Sequence, residues 1–267
     1  MKTPITYYGG KQNLTSELTK LIPNHVQYCE AFVGGGAFLF AKQKSKHEAI
    51  NDYDSRITNF WEVIQNNFED FYKMLHKKRL HSEKYYNEAK YILNNQNNYD
   101  NVSIAWAFWY GTQVSFGSQI LNGFAFDNRG SSVKRIQNKI DNFSDEIRKR
   151  IQTVEIFTRD AIDFIILKDN ENTFFYFDPP YINSDCGHYE NKKEVYHRLI
   201  ELLPKLKSKW MLSSFENELT LELRKNYNSK TKIFPLRVDS TRSETKYKTE
   251  LLVWNYEVET NLFSTLN

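Results

Sequence analysis

Cysteine is nearly absent: Cys29 and Cys186 are the two in 267 residues, which excludes a disulfide framework and points to a reducing compartment. With no pair-spaced Cys/His set, a zinc site is excluded too; Cys186 and His188 share a loop, but two ligands do not make a metal site. Long apolar runs are also missing. No stretch approaches the roughly 18 residues needed to cross a bilayer, and the start Met1-Lys2-Thr3-Pro4-Ile5-Thr6 lacks the apolar core of a signal peptide. A cytoplasmic protein without a membrane partner is expected. Charge of one sign is scarce: 36 Lys and Arg against 33 Asp and Glu leave +3 and a pI near 8.6. That balance permits nucleic-acid binding and does not by itself imply it. What the chain has in plenty is aromatic rings, 17 Tyr and 19 Phe, beside a mean hydropathy of −0.65. Most belong in a core, and some are available to stack on bases. The length fits about one to two domains.

The chain is organised around Thr173-Phe174-Phe175-Tyr176-Phe177-Asp178-Pro179-Pro180-Tyr181. Five β-branched and aromatic residues make a short strand that can be buried on both faces, and it aims the tetrapeptide that follows. Pro180 holds Pro179 extended and offers no N–H. The Asp178 carboxylate and the Pro179 carbonyl can then both accept hydrogen bonds from one incoming group, while Tyr181 supplies a flat face for a ring. An amino group on a flat ring fits this arrangement.

Upstream, Tyr7-Tyr8-Gly9-Gly10-Lys11 places a glycine turn between aromatics and a lysine, ahead of a helical stretch with Leu14, Leu18, Leu21 and Ile22 on one face. Val26 to Phe32 reads as a buried strand running into Val33-Gly34-Gly35-Gly36-Ala37-Phe38, the kind of glycine turn that opens a doubly wound sheet. The spacing Gly34-x-Gly36 followed by Phe38 and Leu39 departs from Gly-x-Gly-x-x-Gly, which disfavours a dinucleotide cradle and a plain NAD enzyme. His47 to Asp54 reads as a second strand ending in acids. Asp52, some 20 residues beyond the glycines, is placed to accept from ribose hydroxyls. Asp54 better suits the N-cap of the helix carrying Ile57, Phe60, Trp61 and Ile64.

Taken in order, Tyr7 to Lys11, Glu30-Ala31-Phe32-Val33-Gly34-Gly35-Gly36, Asn51-Asp52 and Asp178-Pro179-Pro180-Tyr181 resemble the DNA adenine-N6 methyltransferase family of bacteria and phages. The likeness covers residues 4–65 and 150–257. The family often has tryptophan where Tyr7 stands. The resemblance implies an α/β fold: a Rossmann-like S-adenosylmethionine-dependent methyltransferase sheet, residues 1–65 and 151–267, interrupted at 66–150 by a mainly helical target-recognition domain. It implies that Tyr7, Lys11, Phe32, Gly34, Gly35, Gly36, Asp52 and Asp160 bind S-adenosylmethionine, with S-adenosylhomocysteine as product and no metal. Asp160, at the end of a strand around Thr153–Phe157, has an N-cap role as its alternative. Asp178, Pro179, Pro180 and Tyr181 would be catalytic, acting on N6 of an adenine flipped out of double-stranded DNA.

The Lys73 to Lys84 cations, the Asn-rich loop at 94–101 and the buried helix from Ile104 to Tyr110 fall in the interruption. So do the glycine turns between Thr112 and Gly130. By position in the family, Asn122, Arg129, Lys134 and Arg135 are expected to contact DNA; the Asp239 to Lys248 run, with Arg242, Lys246 and Lys248 among small polar residues, reads from its charges as a DNA-phosphate loop or as a charged hairpin tip. Trp210 to Phe215 and Ile233 to Val238 read as further strands, and Glu250 to Tyr256 resembles the family's last strand, which the resemblance implies is antiparallel. The rival activities are cytosine-N4 methylation and DNA binding without turnover. Aspartate rather than serine at 178 favours adenine. A cognate restriction enzyme is a candidate partner, and no motif assigns an oligomeric state.

Overall fold

The computed structural model describes residues 1–7, 10–116, 120–126, 130–180, 192–236 and 246–258. Among the described residues, seven strands build a mixed β-sheet: β1 Gln27–Glu30, β2 His47–Asn51, β3 Glu155–Phe157, β4 Thr173–Phe177, β5 Lys209–Phe215, β6 Asn228–Leu236 and β7 Lys246–Trp254. The chain divides into two compact units, one of residues 1–20, 33–44 and 48–159, the other of residues 21–32, 45–47 and 160–267.

The first unit holds helices α1 Thr15–Leu18, α2 Ala37–Ala41, α3 Ser55–Asn66, α4 Phe68–Lys77, α5 Glu83–Asn94, α6 Asn101–Val114, α7 Ser131–Asp141 and α8 Asp145–Ile151. Its strands β2 and β3 pair in parallel, Ala49 level with Glu155 and Asn51 with Phe157. Helix α6 is apolar all round and buried from Ile104 to Val114, the signature of a central helix. Around it Phe60 of α3 meets Phe108 at 5.9 Å and Phe71 of α4 at 5.6 Å between ring centroids. Each such ring contributes ~1.5–3 kcal/mol by leaving water. Among the described residues, 66–150 is mainly helical.

The second unit holds helices α9 Ala161–Lys168, α10 Lys192–Leu202 and α11 Glu218–Asn226, and a run of strands in the order β1-β4-β5-β7-β6. The first three are parallel; β7 is antiparallel to both β5 and β6. Strand β4 covers the five residues expected of it, and all five are buried, because a parallel strand with neighbours on both sides has no solvent face. Phe175 and Phe177 stack at 5.3 Å on one side of it. Among the described residues no helix is long and apolar enough to cross a membrane.

Candidate active site

In the first unit, the N-terminal segment is fastened before it reaches Tyr7. Trp109 donates to the Pro4 carbonyl at 3.0 Å and Thr6 to Gln113 at 3.1 Å, and the Thr3 hydroxyl donates to the Gly35 carbonyl. Gly10 closes a turn by donating to the Tyr7 carbonyl at 3.0 Å, and Lys11 follows it, 7% exposed. Tyr7 lies against the glycine loop. A Cβ on Gly34 would sit 3.3 Å from the Tyr7 ring and one on Gly35 2.9 Å from Tyr7 Cβ. Gly34 and Gly36 have φ of +45° and +63°, a region that favours glycine. The loop keeps its backbone bare because neither side chains nor ordinary dihedrals fit there.

Asp52 anchors that loop. It is 1% exposed, and its Oδ2 accepts from the Gly34 N–H at 3.0 Å while Oδ1 accepts from the Asp54 N–H at 3.0 Å. A carboxylate can accept about four bonds; these two fix its plane. Asp54 is the N-cap of α3, accepting from the Arg56 N–H at 2.9 Å. Asn51, beside Asp52, clamps the ends of β2 and β3 through both halves of its amide: Oδ1 accepts from the Arg159 N–H at 2.9 Å and Nδ2 donates to the Arg159 carbonyl at 3.1 Å. Sequence reasoning gave Asn51 no role of its own, since its partner lies 108 residues away.

In the second unit, Phe32 is half-buried two residues past β1, and Asp178 leaves the carboxyl end of β4 half-buried between buried Phe177 and Pro179; Pro180 is half-buried. Asp160 caps α9, its Oδ1 accepting from the Ile162 N–H at 2.9 Å, and Arg198 of α10 pairs with it at 3.1 and 3.2 Å. Arg198 was not singled out by sequence, since its partner lies 38 residues away.

Of the residues expected on DNA, Asn122 is exposed in a short turned segment where Ser115 bridges Phe124 and the Phe116 N–H donates to the Gly123 carbonyl at 3.2 Å. Lys134 and Arg135 stand exposed on α7. Tyr8, Gly9, Arg129, Tyr181, Cys186, His188 and Arg242 lie outside the described residues. Among the described residues no group of three His, Cys, Asp or Glu could hold a metal ion.

A mixed sheet with a bare glycine loop after its first strand and an acid after its second is the frame of a Rossmann-like methyltransferase. Within that class the chain belongs to the D12 class N6 adenine-specific DNA methyltransferases, whose profile matches residues 7–236. It is 28% identical over 274 residues to the type II methyltransferase M1.LlaDCHI of Lactococcus lactis subsp. cremoris, with 93% of each chain covered. It is 23% identical over 294 residues to modification methylase StsI of Streptococcus sanguinis and 26% over 240 residues to modification methylase LlaI of Lactococcus lactis subsp. lactis. Those matches cover 99% and 80% of this chain but 44% and 36% of the two methylases, so the chain spans under half the length of either. The protein is a site-specific DNA (adenine-N6) methyltransferase.

Proposed function

We propose that the protein transfers the methyl group of S-adenosylmethionine to an adenine flipped out of double-stranded DNA, with the chemistry at Asp178-Pro179-Pro180-Tyr181. The observation that carries this reading is that Asp178 and Pro179 directly follow a strand buried along its whole length, a firm base for two acceptors offered to one exocyclic amine. The N6 lone pair is delocalised into the ring, so the amine is a poor nucleophile. Acceptance of its hydrogens by the Asp178 carboxylate and the Pro179 carbonyl moves density onto nitrogen and orients it for in-line attack. The base must leave the duplex to reach such a site, and Tyr181 is the ring on which it stacks.

Tyr7, Lys11, Phe32, the Gly34 to Gly36 loop, Asp52 and Asp160 would hold S-adenosylmethionine. The donor set fits: a buried carboxylate whose plane is fixed by two backbone N–H groups suits ribose hydroxyls, and a loop without side chains admits a close ligand. Bound there, S-adenosylmethionine supplies a methyl group on a sulfonium, which makes transfer favourable without a metal. Residues 66–150 act as the target-recognition domain and residues 1–65 with 151–267 as the catalytic domain. Asn122, Arg129, Lys134, Arg135 and Arg242 serve as DNA contacts. The setting is cytoplasmic, and a cognate restriction enzyme is the partner that fits a modification methylase.

Calorimetric titration with S-adenosylmethionine tests the cofactor half of this reading. Wild type binds, and Asp52→Ala, which loses both the loop anchor and the ribose acceptor, binds at least about tenfold more weakly. Equal affinity in the two proteins contradicts the assignment of Asp52.

A further inference from the structure

Strand register gathers buried polar side chains on the face of the sheet that carries Asp178. Residues level with each other in paired strands share a face, as do alternate residues along one strand. Glu30 of β1 is level with Tyr176 of β4, and Tyr176 with Met211 of β5. Phe177 is level with Leu212; Asp178 is the first residue past the strand, and the alternation continued by one step puts it on the face of Tyr176. Phe215, two residues past Ser213, is level with Glu250 of β7. Glu30, Tyr176, Ser213 and Glu250 are 3%, 3%, 0% and 6% exposed. Hydroxyls serve both acids: Ser213 donates to Glu250 Oε1 at 2.5 Å and Tyr28 to Glu30 Oε1 at 2.6 Å. Burial pushes the Tyr176 phenol well above its ordinary value. The Asp178 charge adds to that, the nearby Ser213 hydroxyl opposes it, and Glu250 and Glu30 add further. The phenol stays protonated at neutral pH, and the charges of Asp178 and Glu250 bear on the same hydroxyl.

A buried carboxylate is a poor choice for packing alone, since an apolar side chain of similar volume is often at least as stabilising. We propose that Glu250, held by Ser213 on the face that carries Asp178, is a positioning residue that makes Asp178 a stronger acceptor for the hydrogens of the target amine. A like charge nearby disfavours a second anion and so raises the proton affinity of the first. As N6 attacks, the N–C bond forms and the C–S bond breaks with its electron pair passing to sulfur. The nitrogen, now cationic, sheds one proton, for which a more basic Asp178 is the better acceptor. The inference rests on the reading that Asp178 accepts from N6.

Asp178 must be ionised to accept, so transfer rises as pH rises through its pKa. The titratable and hydroxyl groups that register places on that face of the second unit are Tyr176 on β4, Tyr28 and Glu30 on β1, Ser213 on β5 and Glu250 on β7. The test is the pH profile of single-turnover methyl transfer to unmethylated duplex DNA. Glu250→Gln and Glu250→Met remove the charge, Met without loss of packing, and both shift the acid limb downward by roughly half to one pH unit. Glu250→Asp keeps the charge and keeps the limb in place, whatever its plateau rate. An unmoved limb in active Gln and Met proteins overturns the role of Glu250, including the case in which their rates or melting temperatures fall. It leaves the assignment of Asp178 standing. Wild type that makes no N6-methyladenine, or Asp178→Ala as fast as wild type, overturns that assignment first.

Discussion

Gly34, Gly35 and Gly36 form a loop in which each residue is constrained by a named neighbour. Gly36 combines a φ of +63° with a Cβ position 3.2 Å from Trp61. Gly36→Ala is therefore expected to cost about 1–2 kcal/mol in denaturant unfolding. Gly35 has no positive φ, but a methyl there meets Tyr7 Cβ at 2.9 Å, so Gly35→Ala displaces Tyr7 more than it strains the backbone. Its expected signature is an S-adenosylmethionine affinity lower by about tenfold, with a smaller stability loss than Gly36→Ala. Reversal of that order, read from calorimetry and unfolding of both variants, contradicts the assigned neighbours. The bare loop was legible because three glycines after a strand have few other uses. Its packing against Tyr7 was not, since that contact joins segments some 27 residues apart.

At the scale of elements, a buried ion triad ties β2 to α2 and α8. Lys42 and Arg150 both bond Glu48, Arg150 at 2.5 Å, and Arg150 also donates to the Leu39 carbonyl at 2.6 Å. Burial alone raises the Glu48 pKa, but the Arg150 hydrogen bond and the charge and bond of Lys42 outweigh it and hold the carboxyl below its usual 4.5. With the folded value depressed, the stabilisation is full above the ordinary carboxylate range and is lost as pH falls through the folded pKa. Glu48→Gln strands two buried cations and is expected to cost about 3–5 kcal/mol at neutral pH, with stability that depends less on pH on the acid side. Chemical denaturation at neutral and acid pH checks both parts. Helix α11 carries a smaller version of the same test. Asn217 accepts from the Leu219 and Thr220 N–H groups at 3.0 and 3.1 Å, so Asn217→Ala is expected to cost about 1 kcal/mol.

Most elements were legible, and the exceptions have physical causes. Strand β4, the Asp54 cap and the buried middle of α6 follow from local pattern alone, whereas the antiparallel direction of β7 was implied by the family resemblance. Strand β1 is shorter than the apolar run from Val26 to Phe32 because Val33 already turns to donate to the Asn51 carbonyl at 3.0 Å. Strand β6 begins at Asn228, well before the apolar Ile233, because its polar first half pairs with β7. The triad at Glu48, the Asn51 clamp and the Glu250–Ser213 pair depend on contacts across tens of residues, and no spacing in the chain announces them.

Over the whole molecule, the account turns on a rigid strand that presents Asp178 and Pro179 to an amine, and on a loop and an acid that hold the methyl donor. Transfer of labelled methyl from S-adenosylmethionine to unmethylated double-stranded DNA, followed by nucleoside analysis, tests this most directly when wild type is run beside Asp178→Ala. The account predicts N6-methyladenine from wild type and a loss of at least about a hundredfold in rate in the variant, with the variant folded. Label appearing at cytosine N4, cofactor binding with no label in any DNA, or full activity in Asp178→Ala would contradict it.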